Sequence, residues 1–368
     1  MLKQFFNWVS NPAILFSIFI VGFFFIFPPG EKLYRLNRRL KLDMLWTPAG
    51  GVVFFALLAI FFLWGITDAN FRLIVFKPDN IPITALLFLV PFFLWYSMKQ
   101  ARDNDLRAEK GEPPREALDN EKVLVWPDLV YVEFICLILS MALMIVWSLF
   151  LKAPLEEPAN PTVSPNPSKA PWYFLGLQEM LVYYDPWLAG VVLPTLIIVG
   201  LVAIPYMDIN PGGQGFYSYR PRMKSISIFL FGFVVMWIFL ILVGTFLRGP
   251  NWNFFGPFEF WDPNKREVLN NVNLSEYVYI FLLRTGLPKN ILVRELFGIL
   301  LILGYFAIVP GLLAQTVFKR LFQRLGVVRY SFFIVLLLMG LALPIKMYTR
   351  WLFNLKYIVS IPEYFLNV

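Results

Sequence analysis

The chain has 368 residues, of which 58% are hydrophobic, 18% aromatic and only 15% charged. A composition this apolar excludes an ordinary soluble domain of the same size and indicates an integral membrane protein. The net charge of +8 does not indicate nucleic-acid binding, because the basic residues fall in short loops between apolar stretches rather than on one basic face.

The sequence contains no histidine and a single cysteine, Cys136. Haem held by the chain's own imidazoles, His-ligated zinc or iron, and His-based nucleophilic catalysis are therefore excluded. One cysteine cannot form an intrachain disulfide, a Cys-x-x-Cys haem attachment or an iron–sulfur cage. Any haem or metal chemistry must come from a partner chain.

Eight apolar windows approach the length of a bilayer span, which is about 17 to 25 residues. In chain order they cover residues 12–27, 49–67, 81–98, 129–151, 186–206, 225–246, 296–318 and 330–348. The first window is short, and Phe5, Phe6 and Trp8 are expected to extend it as an interfacial anchor. The pattern predicts an all-α integral membrane protein with about eight transmembrane helices.

Lysine and arginine concentrate in alternate loops between these windows. Four loops hold 18 of the 32 basic residues: 31–43, 99–128, 207–224 and 319–329. The positive-inside rule places them in the cytoplasm, so both termini and the long loops 152–185 and 248–294 lie outside. We expect a multi-pass protein of a bacterial inner (cytoplasmic) membrane, with both termini on the outer, periplasmic side.

Three connecting segments have distinct compositions. Segment 99–126 carries mixed charge and is predicted to be a solvated connector. Loop 152–185 opens with a proline-rich run that is predicted to be extended. Loop 248–294 contains RGPNWNFFGPFEFWDPNK, which either docks an extramembrane cytochrome or iron–sulfur subunit or forms an aromatic plug over the bundle; residues 273–288 then predict a short surface helix.

Between Trp126 and Thr245 the sequence resembles the C-terminal half of cytochrome b, the part that stands alone as subunit IV in cytochrome b6f complexes. The matching stretches, in the order that the family has them, are ANPTVSPNPSKAPWYFLGLQEML at 159–181, DPWLAGVVLPTLIIVGLVAIPYMD at 185–208 and YSYRPRMKSISIFLFGFVVMWIFLILVGT from 217 onward. The resemblance covers about a third of the chain. It divides the sequence into a three-span N-terminal extension (1–125), a subunit-IV-like region (126–247), and an outer aromatic loop with two C-terminal spans (248–368).

The resemblance implies one wall of a quinol-oxidising pocket on the outer side of the membrane. In such proteins a Pro-Glu-Trp-Tyr segment lines the site where quinol gives one electron to an iron–sulfur partner and one to a b haem, and releases two protons. The implied partners are a haem-bearing cytochrome b-type subunit and iron–sulfur or c-type cytochrome subunits, while this chain carries no haem of its own. Pro171, Trp172 and Tyr173 then belong to the quinol-binding wall.

This chain departs from the family signature at one position. Ala170, Pro171, Trp172 and Tyr173 stand where the family has Pro-Glu-Trp-Tyr, so a proline replaces the glutamate. Proline cannot accept a proton. Either another group accepts the quinol proton, or the site has been lost.

Glu179 is the predicted substitute for the missing carboxylate. If Pro171 opens a helix, then Trp172, Leu175, Gly176 and Glu179 fall on one stripe, and Gly176 leaves room for a flat ring. The stripe predicts Leu175 and Gly176 as quinol-binding residues and Glu179 as the catalytic proton acceptor. Alternatively, Glu179 contacts a partner subunit, is solvated, or pairs with a lysine such as Lys169.

The function predicted from these observations is that of a haem-free subunit of a quinol:cytochrome c oxidoreductase-type respiratory complex. Such a subunit shapes and deprotonates the site and does not carry electrons itself. One alternative is a scaffold subunit with a degenerate quinol site. Another is a transporter, which is disfavoured because internal repeats and mid-membrane charges are scarce.

Overall fold

The computed structural model describes residues 1–119, 121–151, 158–162, 164–209, 217–267 and 270–368. Its regular structure is almost entirely helical, as the sequence predicts. The helices are α1 Leu2–Val9, α2 Pro12–Ile26, α3 Glu31–Arg39, α4 Pro48–Ile66, α5 Ala69–Val75, α6 Pro78–Glu109, α7 Val125–Phe150, α8 Trp172–Met180, α9 Leu188–Met207, α10 Arg220–Leu247, α11 Leu274–Glu276 with its continuation Tyr277–Leu282, α12 Ile291–Arg294, α13 Leu296–Gln315 and α14 Lys319–Phe353. Strands β1 Ser360–Ile361 and β2 Leu366–Asn367 pair antiparallel.

Several helices are long enough to cross a bilayer. Among the described residues, seven pass the criteria of length and apolar composition, and α1 with α2 makes an eighth if that bent pair is one span. The bend is 79°, and α2 starts there because Pro12 occupies its first turn and the Asn11 side chain accepts a hydrogen bond from Ala13 N at 3.2 Å. The prediction of about eight membrane helices is confirmed.

Residues 319–329, which were predicted to form a loop, are mostly helical in the structure. α14 begins at Lys319 and continues to Phe353, so most of that basic segment is helical. The helix is interrupted at Gly326, where φ is +71° and ψ is 178°, a conformation that glycine adopts without a Cβ penalty. The turn between α13 and α14 is therefore much shorter than the charge pattern indicates. The surface helix predicted over 273–288 is present as α11 but ends at Leu282.

Helices α2, α8, α9, α10 and α14 share the main hydrophobic core. At its centre Phe16 is fully buried, with its ring centroid 5.1 Å from that of Phe239 and 5.5 Å from that of Trp351. A separate cluster joins α13 to α14, where the Tyr330 hydroxyl donates to Pro310 O at 2.9 Å. α7 differs from the six other long candidate spans among the described residues, since none of its residues is buried against the rest of the chain.

Segment 99–126, which was predicted to be a solvated connector, is helical as far as Glu109 and partly buried. α6 continues to Glu109 and buries Asn104 and Asp105. Asp105 Oδ2 accepts hydrogen bonds from Tyr219 N at 3.3 Å and Arg220 N at 3.0 Å, which fixes the start of α10. The predicted extended run in loop 152–185 falls partly on residues 152–157 and 163, which lie outside the described residues, whereas 164–170 are non-helical.

Candidate functional site

The short helix α8 carries most of the residues predicted to form the site. It begins at Trp172, directly after Pro171, as the sequence predicts. Its start is held by Gln178, whose Oε1 accepts from Ala170 N at 2.7 Å and whose Nε2 donates to Ser168 O at 2.8 Å. These bonds fold the preceding loop back along the helix and satisfy backbone groups near its start.

One face of α8 is buried against α10. Leu175, Gly176 and Glu179 are all buried on this face. A Cβ added to Gly176 would meet Ile241 Cγ1 at 3.3 Å, so the glycine allows close packing of two helices. The space beside Gly176, where the sequence suggested room for a flat ring, is occupied by α10.

Glu179 forms a buried ion pair with Arg248. Arg248 Nη2 lies 2.7 Å from Glu179 Oε1, and Arg248 Nε lies 3.0 Å from Oε2. The Tyr183 hydroxyl donates to Oε1 at 3.3 Å and Trp252 Nε1 donates to Oε2 at 3.1 Å. Because the exposed fraction of Glu179 is 0%, the solvated alternative is excluded, and its cationic partner is Arg248 rather than Lys169.

Burial and the Glu179 carboxylate determine the protonation states of Tyr183 and Arg248. Burial raises the pKa of the Tyr183 hydroxyl, and the Glu179 charge raises it further, so Tyr183 is a neutral donor at physiological pH. Burial acts to lower the pKa of Arg248, but the Glu179 carboxylate outweighs it, and the net shift is upward. A desolvated pair of this kind is maintained because additional hydrogen bonds satisfy the carboxylate oxygens.

A cavity of about 760 Å³ lies beside the start of α8. Three segments build its wall: residues 70–83, 167–175 and 259–261. Its volume is within the range of about 300 to 1,000 Å³ typical of small-molecule sites. Pro171, Trp172 and Leu175 line this cavity, whereas Tyr173, Gly176 and Glu179 are not among its lining residues.

Lys169 also lines the cavity, and its role was not anticipated beyond possible pairing with Glu179. Its Nζ donates to Thr245 O at 2.8 Å and lies 4.7 Å from the ring centroid of Trp261. Burial lowers the pKa of Lys169 to about 7, and the positive charge of Lys77 contributes to the decrease. The sequence signal was the position of Lys169 in the loop immediately before the signature.

The outer aromatic loop folds back onto the chain. Arg248 pairs with Phe254 in an isolated β-bridge, and Phe255 is fully buried. The Phe258 ring lies 5.3 Å from that of Phe71 and is stacked on it, and Phe258 N donates to Asn7 Oδ1 at 3.0 Å. The loop thus has the form of the aromatic plug considered from the sequence. It also supplies Arg248 and Trp252, which sequence reasoning did not connect with Glu179.

Comparison with known families bears directly on this part of the chain. Residues 158–258 match the family described as Cytochrome b(C-terminal)/b6/petD. This segment is similar to the C-terminal part of cytochrome b. It contains α8, α9 and α10 and both members of the Glu179–Arg248 pair. No solved structure matches the chain.

The cytochrome b C-terminal region indicates that this multi-pass membrane protein is a subunit of a membrane electron-transfer complex. Proteins of this kind work with quinol or quinone and with haem. A b haem held by imidazoles does not fit this chain, because its sequence has no histidine. The described residues also contain no group of three or more His, Cys, Asp or Glu side chains that could hold a metal ion.

Proposed function

We propose that this chain is the haem-free, subunit-IV-like component of a bacterial quinol:cytochrome c oxidoreductase-type complex and forms part of its outer quinol-oxidation site. The observation that carries the proposal is the cavity of about 760 Å³ lined by Pro171, Trp172 and Leu175. These residues belong to the segment that corresponds to the family's quinol-lining signature, and they lie within the matched region.

In this proposal the chain binds and orients the quinol ring and excludes water from it. Trp172, which is 38% exposed, offers an aromatic face, and Leu175 and Pro171 offer apolar surface. When quinol is bound, it supplies two electrons to cofactors of other subunits and two protons to the outer side. Tyr173, which is 47% exposed, then faces a neighbouring subunit or lipid beside the same helix.

The sequence predicts Glu179 as the carboxylate proton acceptor, and this role stays a prediction, because Glu179 does not line the cavity. Its position also supports a positioning role, because the pair with Arg248 ties α8 to the end of α10 and so fixes the cavity wall. The two roles differ in their consequences. Glu179→Gln lowers turnover by a factor on the order of 10² or more if the carboxylate takes the proton, whereas a positioning role predicts that loss of stability accompanies any loss of turnover.

The proposed partners are a haem-bearing cytochrome b-type subunit and iron–sulfur or c-type cytochrome subunits in the bacterial inner membrane. The basic loops support placement of both termini and the cavity on the outer side. The surface of α7, which has no residue buried within this chain, supports assembly with other membrane subunits.

A scaffold function with a degenerate quinol site is the second candidate. It is favoured by Pro171 at the position of the family's glutamate and by the four donor contacts that occupy Glu179. This alternative predicts that a larger side chain placed in the cavity leaves turnover unchanged.

The test uses the complex that co-purifies with the tagged chain in mild detergent. A reduced-minus-oxidised spectrum, recorded before and after addition of a short-chain benzoquinol, reports reduction of the partner haems. Ala170→Phe fills the cavity, and Ala159→Phe is the control on an exposed part of the same loop. We expect Ala170→Phe to slow haem reduction at least tenfold and the control to retain it. Equal rates in both variants would contradict the proposed quinol site.

A further inference from the structure

Two lysines line the cavity, and they differ in their environment. Lys77 is solvated, with 53% of its side chain exposed, and its Nζ lies 3.2 Å from Asp79 Oδ2. Lys169 is partly buried and, among the described residues, has no carboxylate within 4 Å. Its Nζ is held by a neutral carbonyl, Thr245 O, at 2.8 Å. Lys169 is therefore a polar group at the cavity whose charge no described side chain neutralises.

The reason for this isolation is the Glu179–Arg248 pair. Glu179 is the acidic side chain on the adjacent helix, and both of its oxygens accept hydrogen bonds from the Arg248 guanidinium. Pro171, where the family has a glutamate, contributes no charge. Lys169 is thus left without the acidic partner that either position would otherwise supply.

Polar groups around Lys169 are also incompletely paired. Thr245 Oγ1 and Trp261 Nε1 are buried and have no hydrogen-bond partner among the described residues. Both belong to residues that contact the Lys169 ammonium group. Buried groups of this kind are uncommon in proteins and call for an explanation such as a redox or catalytic role.

The charged groups that face Lys169 determine its protonation. Lys77, Asp79 and Glu259 line the same cavity. Burial is the main cause that lowers the pKa of Lys169 to about 7; the Lys77 and Arg248 charges act in the same direction, and Glu179 opposes them. Near neutral pH the side chain therefore populates both the amine, which can accept a proton, and the ammonium form.

We propose that Lys169, rather than Glu179, is the proton acceptor for a hydroquinone bound in the cavity. The inference rests on the proposed function, because it requires that the cavity binds quinol. In the step, a hydroquinone O–H bond breaks and an N–H bond forms at Nζ, which leaves the hydroquinone monoanion and the Lys169 ammonium ion. The monoanion then loses two electrons, one at a time, to acceptors of the haem or iron–sulfur class on partner subunits; its remaining O–H bond breaks, the second proton passes to water, and quinone is left.

In the proposed sequence of steps the proton leaves through Glu259. Glu259 lines the cavity, and 41% of its side chain is exposed. A carboxylate in that position can take the proton from the ammonium ion and release it to water. Lys169 then returns to the amine form, with its hydrogen bond to Thr245 O retained.

The experiment measures quinol-dependent haem reduction in the purified complex between pH 6 and pH 9, with a decyl-substituted benzoquinol as the probe. The variants are Lys169→Met and Lys169→Arg, and Lys289→Met is the control at an exposed lysine on the outer loop. We expect the wild-type rate to rise with pH through about 7. Both Lys169 variants should lose turnover by a factor on the order of 10² and lose that pH dependence.

The two Lys169 variants separate chemistry from folding. Lys169→Arg retains a positive charge that does not titrate, so a complex that assembles normally yet has lost the rise with pH supports proton acceptance. Unchanged pH profiles in both variants would overturn the role of Lys169. If Ala170→Phe still abolished reduction in that case, the quinol site itself would stand; if Ala170→Phe were also without effect, the proposed function would fail.

Discussion

Arg248 and Glu179 meet in a buried bidentate ion pair although 69 positions separate them in the sequence. Arg248 directly follows the long helix α10, and Glu179 lies near the end of the short helix α8. The pair therefore fixes the helix that carries the signature segment to a membrane span. In addition to the two Arg248 contacts, the Trp252 indole N–H donates to Glu179 Oε2 at 3.1 Å.

Removal of one member of this pair should destabilise the protein strongly. Glu179→Ala leaves the Arg248 guanidinium buried without its counter-ion, which costs about 3 to 5 kcal/mol. The free energy of unfolding, measured in detergent, checks this value. Glu31→Ala is the control, because both of its partners, Arg35 and Arg220, are exposed and such pairs contribute less than about 1 kcal/mol each. Similar losses in the two variants would contradict the assignment of Glu179–Arg248 as a buried structural pair.

The aromatic loop should be attached to the N-terminal helices mainly through Phe258. Its ring lies 5.1 Å from that of Trp64 and 5.3 Å from that of Phe71, and its exposed fraction is 7%. Phe258→Ala should cost about 3 to 5 kcal/mol and make the loop sensitive to limited proteolysis. Phe260→Ala, at a side chain that is 68% exposed, should change stability by less than about 0.5 kcal/mol. Equal protection of the loop in both variants would argue against this attachment.

A close approach at the start of α13 makes Gly298 sensitive to substitution. A Cβ at this position would overlap the Ile358 carbonyl oxygen, which is backbone and cannot move aside cheaply. Gly298→Ala should therefore destabilise the protein by about 1 to 3 kcal/mol. Gly311→Ala is the matched control in the same helix, since nothing lies within 4 Å of the added Cβ. Thermal unfolding of both variants tests this difference, and a more stable Gly298→Ala variant would contradict the contact.

The depressed pKa of Lys169 should make stability depend on pH. Its folded-state pKa is about 7, below the ordinary value of 10.5, so between these values the unfolded chain binds more protons than the folded one. Linkage then requires that this group's contribution to stability rises as pH increases from about 7 toward 10.5. The thermal midpoint of the wild type should rise over this interval relative to that of Lys169→Met. A constant difference between the two proteins would contradict the shift.

Much of the membrane architecture follows from local sequence. Runs of apolar residues locate the spans because burial in lipid requires them, and Pro171 marks the start of α8 because proline is tolerated at a helix start. The helix break at Gly326 was not predicted, because a glycine among basic residues is as compatible with a loop as with an interrupted helix. The burial of Asn104 and Asp105 was missed for a different reason: Asp105 binds Tyr219 N, 114 positions away.

The candidate site was predicted only in part. Pro171, Trp172 and Leu175 do line a cavity, but half of its wall comes from residues 70–83, in a region with no resemblance to the family. The partner of Glu179 was not identifiable either, because several cations in the outer loops satisfy the same requirement of charge. Only the folded chain selects Arg248, through the close packing of α8 at Gly176.

The location of Glu179 and Arg248 on either side of two consecutive spans has a consequence for biogenesis. α9 and α10 lie between them, so both residues reach the same side of the membrane only after this helical hairpin has inserted completely. Until then each charge remains without its counter-ion. Closure of the pair thus couples correct topology of the hairpin to neutralisation of its charges, and a chain with one span left out of the bilayer keeps Glu179 and Arg248 apart on opposite sides of the membrane.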